Sequence, residues 1–272
     1  MKALTAAIIV FAVIAISLFC SLTIQKLTFG FQSVSGVKML NSSNINAISI
    51  SDPSGLVYIK AYSGPQIIVK YVSYSDFLSP LALKIENNNG VLLITTGQNY
   101  FNAGYSVSLN ITVPESIMPD VTVKLGGGNV IVQLPYAGAI TIEDGAGNVQ
   151  INATQAVQMK VEVASGNVEL WTSSTKYIYA AVTTGDINAV ISGPLTGSYQ
   201  FYATTGNLNV MIPPDSSVTF TVSTTAGAVV VEGIHYNSVS NSMSGIVSGT
   251  AGNGTATLTE STTTGNAYLK AI

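Results

Sequence analysis

Charge is scarce in this 272-residue chain: Asp, Glu, Lys and Arg together make up 8% of it, against roughly a quarter in ordinary globular domains. All ten basic residues are lysines, and arginine is absent. With a net charge of −3 and no basic cluster, the chain offers no concentrated positive face, which argues against nucleic acid as a partner. Its single cysteine, Cys20, excludes an intrachain disulfide. Its single histidine, His235, sits in the loop sequence GIHYNS, and one imidazole without companion ligands cannot build a zinc site. No metal and no cofactor are expected.

One long hydrophobic run is present. Ala3 to Gln25 carries no charge over twenty-three residues, between Lys2 and Lys26. About twenty apolar residues cross a bilayer core as a helix, and a segment apolar on every side does not pattern as a soluble helix. The expectation is therefore an uncleaved signal anchor, a transmembrane helix over 1–26. The chain would be single-pass in the cell membrane, with its C-terminal domain extracellular. Residues 27–46 would be a linker. Lys2-Ala3 ahead of the apolar run also resembles the short leaders of archaeal pilins, which keeps open a subunit of an extracellular filament.

The remainder is rich in Ser, Thr, Asn, Gly, Val, Ile and Tyr, a composition that favours strands and turns. One phrase recurs: a small residue, Gly, Asn or Asp, then apolar residues at alternate positions, as in TTGDINAV (183–190) and TTGNLNVM (204–211). Its glycines are Gly128, Gly147, Gly166, Gly185, Gly206, Gly227 and Gly265, at intervals of 19, 19, 19, 21, 21 and 38. A fixed period near 20 marks a solenoid. Apolar residues alternate on both sides of each glycine, for example Ile140/Ile142 before Gly147 and Val149/Ile151 after it. That is the period of a strand with one buried face. The fold class expected is all-β, a single β-solenoid over 47–272, with irregular first coils at 47–120 and regular repeats at 121–272. The glycines would be corners, with Asn129, Asn148, Asn167, Asp186 and Asn207 stacked above one another. Only Asp186 in that column is acidic, so calcium ligation is not expected.

These corners, together with LNITVPESIMPDVTVKLGGGNV (109–130) and the polar closing stretch GNGTATLTESTTTGNAYLKA (252–271), resemble the putative-adhesin β-solenoid domain of unknown function in bacterial and archaeal envelope proteins. The resemblance implies a membrane-tethered, extracytoplasmic solenoid and defines no biochemical role.

Catalysis finds little footing. Glu143-Asp144 and Glu162, one coil later, are the only paired acids of interest, and neighbouring strand residues point to opposite faces. No catalytic residue is assigned, and a carbohydrate-active β-helix enzyme is the minor alternative. Asn41, Asn110, Asn152 and Asn253 begin N-x-S/T sequons and are candidate N-glycosylation sites in an exterior protein, with Asn110 and Asn253 the readier acceptors. Trp171, Tyr177, Tyr179, Tyr199 and Tyr202 gather in two consecutive coils, where outward rings could stack on a glycan or a surface protein. The strand Asn266–Ile272, guarded by Lys270 alone, is expected to be an open end prone to weak end-to-end self-association.

Overall fold

The computed structural model describes residues 31–52, 54–76, 83–96, 106–238 and 245–272. The strands are β1 (Phe31–Asn41), β2 (Ala47–Asp52), β3 (Gly55–Tyr62), β4 (Gln66–Asp76), β5 (Leu83–Asn88), β6 (Val91–Thr96), β7 (Ser106–Pro114), β8 (Asp120–Leu125), β9 (Gly128–Gln133), β10 (Tyr136–Ala146) and β11 (Val149–Ser165). They continue as β12 (Val168–Thr184), β13 (Ile187–Ile191), β14 (Ser198–Thr205), β15 (Leu208–Ile212), β16 (Val218–Ala226), β17 (Val229–Glu232), β18 (Asn237–Ser238), β19 (Ile246–Ala251), β20 (Ala256–Thr264) and β21 (Ala267–Ala271). All join one hydrogen-bonded sheet, which curls into a repeat-like half-barrel.

The sheet has two walls. One is built from strands that precede the corner glycines and the other from strands that follow them. Parallel, in-register pairing runs along each, as in Ile140↔Met159 and Met159↔Ile178 on the first wall and Val149↔Val168 and Val168↔Ile187 on the second. β11 and β12 run from the second wall of one coil into the first wall of the next, which unites the walls. Alternation then sends every other side chain between them. Ile142, Val161, Phe201 and Val222 from one wall, and Val132, Ile151, Leu170 and Val210 from the other, are buried in a single core.

The coils do not stack in chain order. The last coil, β20 with β21, lies between β14/β15 and β16/β17: Phe201 pairs with Glu260 and Glu260 with Val222, while Val210 pairs with Leu269 and Leu269 with Val231. The same device operates at the other end, where β2/β3 lies between the later β6/β7 and β8/β9. The 38-residue interval before Gly265 therefore does not mark a coil added to the end of the stack. It spans a coil that is threaded into a gap left by its predecessors. Antiparallel strands cover the outermost coils, β5 on β6 and β4 then β1 beyond β7 at one end, β19 on β16 at the other. The β5–β6 turn has positive φ at Asn89 (49°) and Gly90 (89°), the geometry that Asn-Gly supplies to a tight hairpin.

Three expectations are corrected. A transmembrane helix over 1–26 lies outside the described residues, and among the described residues no helix is long and apolar enough to cross a membrane. The one helix described is a 3-10 turn, Ser42–Asn44. The signal anchor, the single-pass localisation and the membrane as a partner are accordingly not carried forward. Residues 31–41, inside the stretch read as a linker, form β1 and pair with β4 along their whole length. The strand Asn266–Ile272 is no open end, because β21 has β15 on one side and β17 on the other. Among the described residues the outer edge of the second wall at that end is β17, whose Val229, Val230 and Val231 are half-buried.

Candidate functional site

Two surfaces arise from the corners. The first is a column of Asx side chains. Each side-chain oxygen accepts a hydrogen bond from the backbone N–H of the next corner: Asn129 from Asn148 (3.0 Å), Asn148 from Asn167 (3.1 Å), Asn167 from Asp186 (2.9 Å) and Asp186 from Asn207 (2.6 Å). The column then follows space and not sequence: Asn207 accepts from Asn266 (3.0 Å), and Asn266 from Ala228 (2.8 Å). Among the described residues no corner lies beyond Ala228, so no backbone N–H there needs an Asx acceptor at that position. The corners approach so closely that a side chain has no room. At Gly166 (φ 142°) a Cβ would lie 1.8 Å from the Gly147 carbonyl oxygen, and at Gly185 (φ 138°) 1.9 Å from that of Gly166. Asp186, Asn188, Asn207, Asn209, Tyr268 and Lys270 line a shallow polar depression of about 390 Å³ beside this column.

The second surface is a groove of about 1000 Å³ along the first wall, where the sheet bends into the corners. Register places Lys124, Glu143, Glu162, Ala181, Tyr202 and Ser261 in one outward row, one residue per coil. The row beside it holds Thr141, Lys160, Tyr179, Gln200 and Thr259. Lys124 bonds Glu143 at 2.8 Å and Lys160 bonds Glu162 at 2.9 Å. The Lys124 hydrogen bond holds the Glu143 carboxyl below its usual range. Tyr179 and Tyr202 meet with ring centroids 5.8 Å apart and planes tilted by 48°, and small Ala181 leaves space beside them.

The floor carries two buried carboxylates, Asp52 and Asp144. Burial pushes Asp52 up to about 6, against a bond from the Ser54 N–H and one from Thr96 Oγ1. Burial likewise raises Asp144, whose Oδ1 accepts from the Ala146 N–H. The Oδ2 atom of each has no protein partner. Register separates the two acids by the rung of Leu125, roughly 9–10 Å at the usual strand spacing, too far to share one proton or one ion.

Of the residues singled out from sequence, Glu143 and Glu162 do come together as neighbours in one row, but each carboxylate is already held by a lysine. A general acid needs a raised carboxyl, and Glu143 is shifted the other way. Asp144 points to the opposite face from Glu143. His235 is exposed in its loop. Among the described residues no group of three or more His, Cys, Asp or Glu could hold a metal ion. Of the five aromatics, Tyr179 and Tyr202 form the pair, Tyr177 stands 55% exposed, Tyr199 is wholly buried with its hydroxyl donating to the Thr175 carbonyl at 2.7 Å, and Trp171 belongs to the other wall. Asn41, Asn152 and Asn253 are exposed, whereas Asn110 is half-buried between β3 and β4 with its Oδ1 enclosed. Lys124, Gln200, Asp52 and Glu260 were not singled out from sequence. Register alone brings Lys124 to the groove and Gln200 to the row beside it.

Comparison with known proteins adds the following. Residues 136–270 match the model of the family described as Toastrack DUF4097. Among solved structures, a putative cell adhesion protein from Clostridium sporogenes is 13% identical, over 89% of this chain and 100% of that one, with a TM-score of 0.36. A putative adhesin from Parabacteroides distasonis is 11% identical, over 88% and 97%, at 0.34. A putative adhesin from Parabacteroides merdae is 13% identical, over 88% and 96%, at 0.30. No curated protein matches the chain.

Proposed function

We propose, from a distant, low-identity relation to the β-rich Toastrack DUF4097 family, that this chain is a non-catalytic extracytoplasmic domain with a structural and adhesive role. The groove of the first wall is its contact surface, and a glycan is its ligand. The Tyr179–Tyr202 pair carries this reading. Two half-exposed rings on adjacent coils, with Gln200, Glu162 and Lys160 at hand, offer apolar faces for sugar rings and polar groups for their hydroxyls. The open shape of the groove suits a chain lying across the coils. Asn41, Asn152 and Asn253 are the accessible acceptors should the host glycosylate exterior proteins.

A glycan array followed by calorimetry tests this. Tyr202→Ala and Tyr179→Ala should each weaken binding of a retained oligosaccharide by about tenfold, one ring being worth about 1–2 kcal/mol, with unchanged melting temperature. An array without a hit, or binding indifferent to both substitutions, would remove the groove from the account.

A further inference from the structure

We infer that the C-terminal coil, Ala256–Ala271, is exchangeable between molecules: it can leave its gap and occupy the same gap in a second copy of this chain. This surface is separate from the groove and does not depend on a glycan.

Topology is the first ground. β20 and β21 fill a slot between β14/β15 and β16/β17, and every strand bordering that slot precedes them in the chain. Residues 252–255 are the connection that joins the coil to the strands before it. That connection crosses the start of β16, since Val218 faces Ala251 of β19 on one side and Ala256 of β20 on the other. Its sequence is Gly-Asn-Gly-Thr, with φ of 57° and 65° at the glycines. Asn253 N–H and Thr255 N–H both donate to Ser217 Oγ, at 2.9 and 3.4 Å. Opening this turn lets the coil leave the slot without unthreading any of the strands that border it. The contacts made in a second copy equal those given up, so exchange depends chiefly on concentration.

Glu260 is the second ground. It occupies an inward position taken by Ile142, Val161, Phe201 and Val222 in other coils. It is fully buried, and neither carboxylate oxygen has a partner. The strands packed on β20 are β14, β16, β15 and β21. Their titratable or charged side chains are Tyr199 and Tyr202 on β14 and Tyr268 and Lys270 on β21. Only Tyr199 points inward, with its hydroxyl committed to Thr175. Lys270 lies on the outer face, 5.1 Å from the centre of the Tyr268 ring. Burial alone acts on Glu260, raising its carboxyl well above the usual range. The coil is therefore held with a proton that it gives up on release, and release becomes easier as pH rises through that window.

Two full-length chains test the exchange, both with Cys20→Ser, one carrying Gln200→Cys and the other Thr259→Cys. Gln200 and Thr259 are register partners, at a spacing a disulfide spans. Neither chain alone can form this bond internally, so a bond between the two chains reports a coil seated in the other molecule. The chains are co-refolded, or mixed native at a chosen pH, and oxidised at one common pH. Gln200→Cys with Thr219→Cys, which are not partners, gives the collisional background. The expected result is a covalent pair well above background. In native mixing its rate should rise about tenfold per pH unit above the ordinary Glu range, and Glu260→Gln in both chains should flatten that slope. A covalent pair no more abundant than background after both co-refolding and native mixing overturns the inference. Exchange with no pH slope overturns the part assigned to Glu260.

Discussion

Replacing Glu260 with leucine should stabilise the protein, by an amount that grows with pH. The side chain stands between Phe201 and Val222 with both oxygens buried and unbonded. An unsatisfied buried polar group costs about 1–3 kcal/mol, and leucine fills a similar volume with none to satisfy. Below the ordinary Glu value of 4.5 both folded and unfolded chains are protonated at this site, and that cost is the whole difference. Above it the unfolded chain releases the proton while the folded chain keeps it. Parent stability then falls by up to about 1.4 kcal/mol per pH unit until the folded group also ionises. Asp52 adds a slope of the same sign between 3.8 and about 6, and raised Asp144 acts in the same direction. Glu143, held low by Lys124, acts oppositely but is exposed and weak. Denaturant unfolding from about pH 3 to pH 8 reads the result. The parent should lose stability as pH rises above about 4.5, and Glu260→Leu should lose much less. A parent that gains stability across that range, or a leucine variant weaker than the parent at neutral pH, would refute this.

Gly166→Val should destabilise by more than about 3 kcal/mol, because strain at φ 142° is joined by a Cβ only 1.8 Å from a backbone oxygen. A melt matching the parent would show that the corner can open. Asn167→Ala removes the acceptor for the Asp186 N–H and should cost about 1 kcal/mol in chemical denaturation. At the far end of the column, Asn266→Ala should cost a similar amount, because it removes the acceptor for the Ala228 N–H. Denaturation midpoints unchanged in both variants would show that the column adds nothing to stability.

The coil period was legible because each corner needs the same solution. Glycine fits where the carbonyl of the preceding corner glycine in the stack is within contact distance, and the following Asx bonds the neighbouring backbone. Alternation at Ile140/Ile142 or Leu208/Val210 likewise named the buried face of each strand. Stacking order was not legible, since corners at Gly206, Gly227 and Gly265 carry nearly the same pattern and any two of them can pair in register. Two features did hold the clue: Ala228, where the Asx column has no next member, and the long interval before Gly265. The groove was half legible. Glu143, Glu162, Tyr179 and Tyr202 stood out as residue types, but their neighbours Lys124 and Gln200 are fixed by pairing across 19 to 21 residues. β1 was missed because its Ser-Gly-rich sequence lacks clean alternation, and Val34, Val37 and Met39 are all more than half exposed.

The most direct test of the out-of-order stack is a pair of intrachain cross-links in the Cys20→Ser background. Gln200 pairs with Thr259, and Thr259 with Thr221, which leaves Gln200 and Thr221 two rungs apart, roughly 9–10 Å and beyond disulfide reach. In dilute monomer, Gln200→Cys/Thr259→Cys should oxidise fully to an internal disulfide while Gln200→Cys/Thr221→Cys stays reduced. The reverse outcome, 200 bonded to 221 and 259 left free, would mean that the coils stack in chain order and would contradict the account.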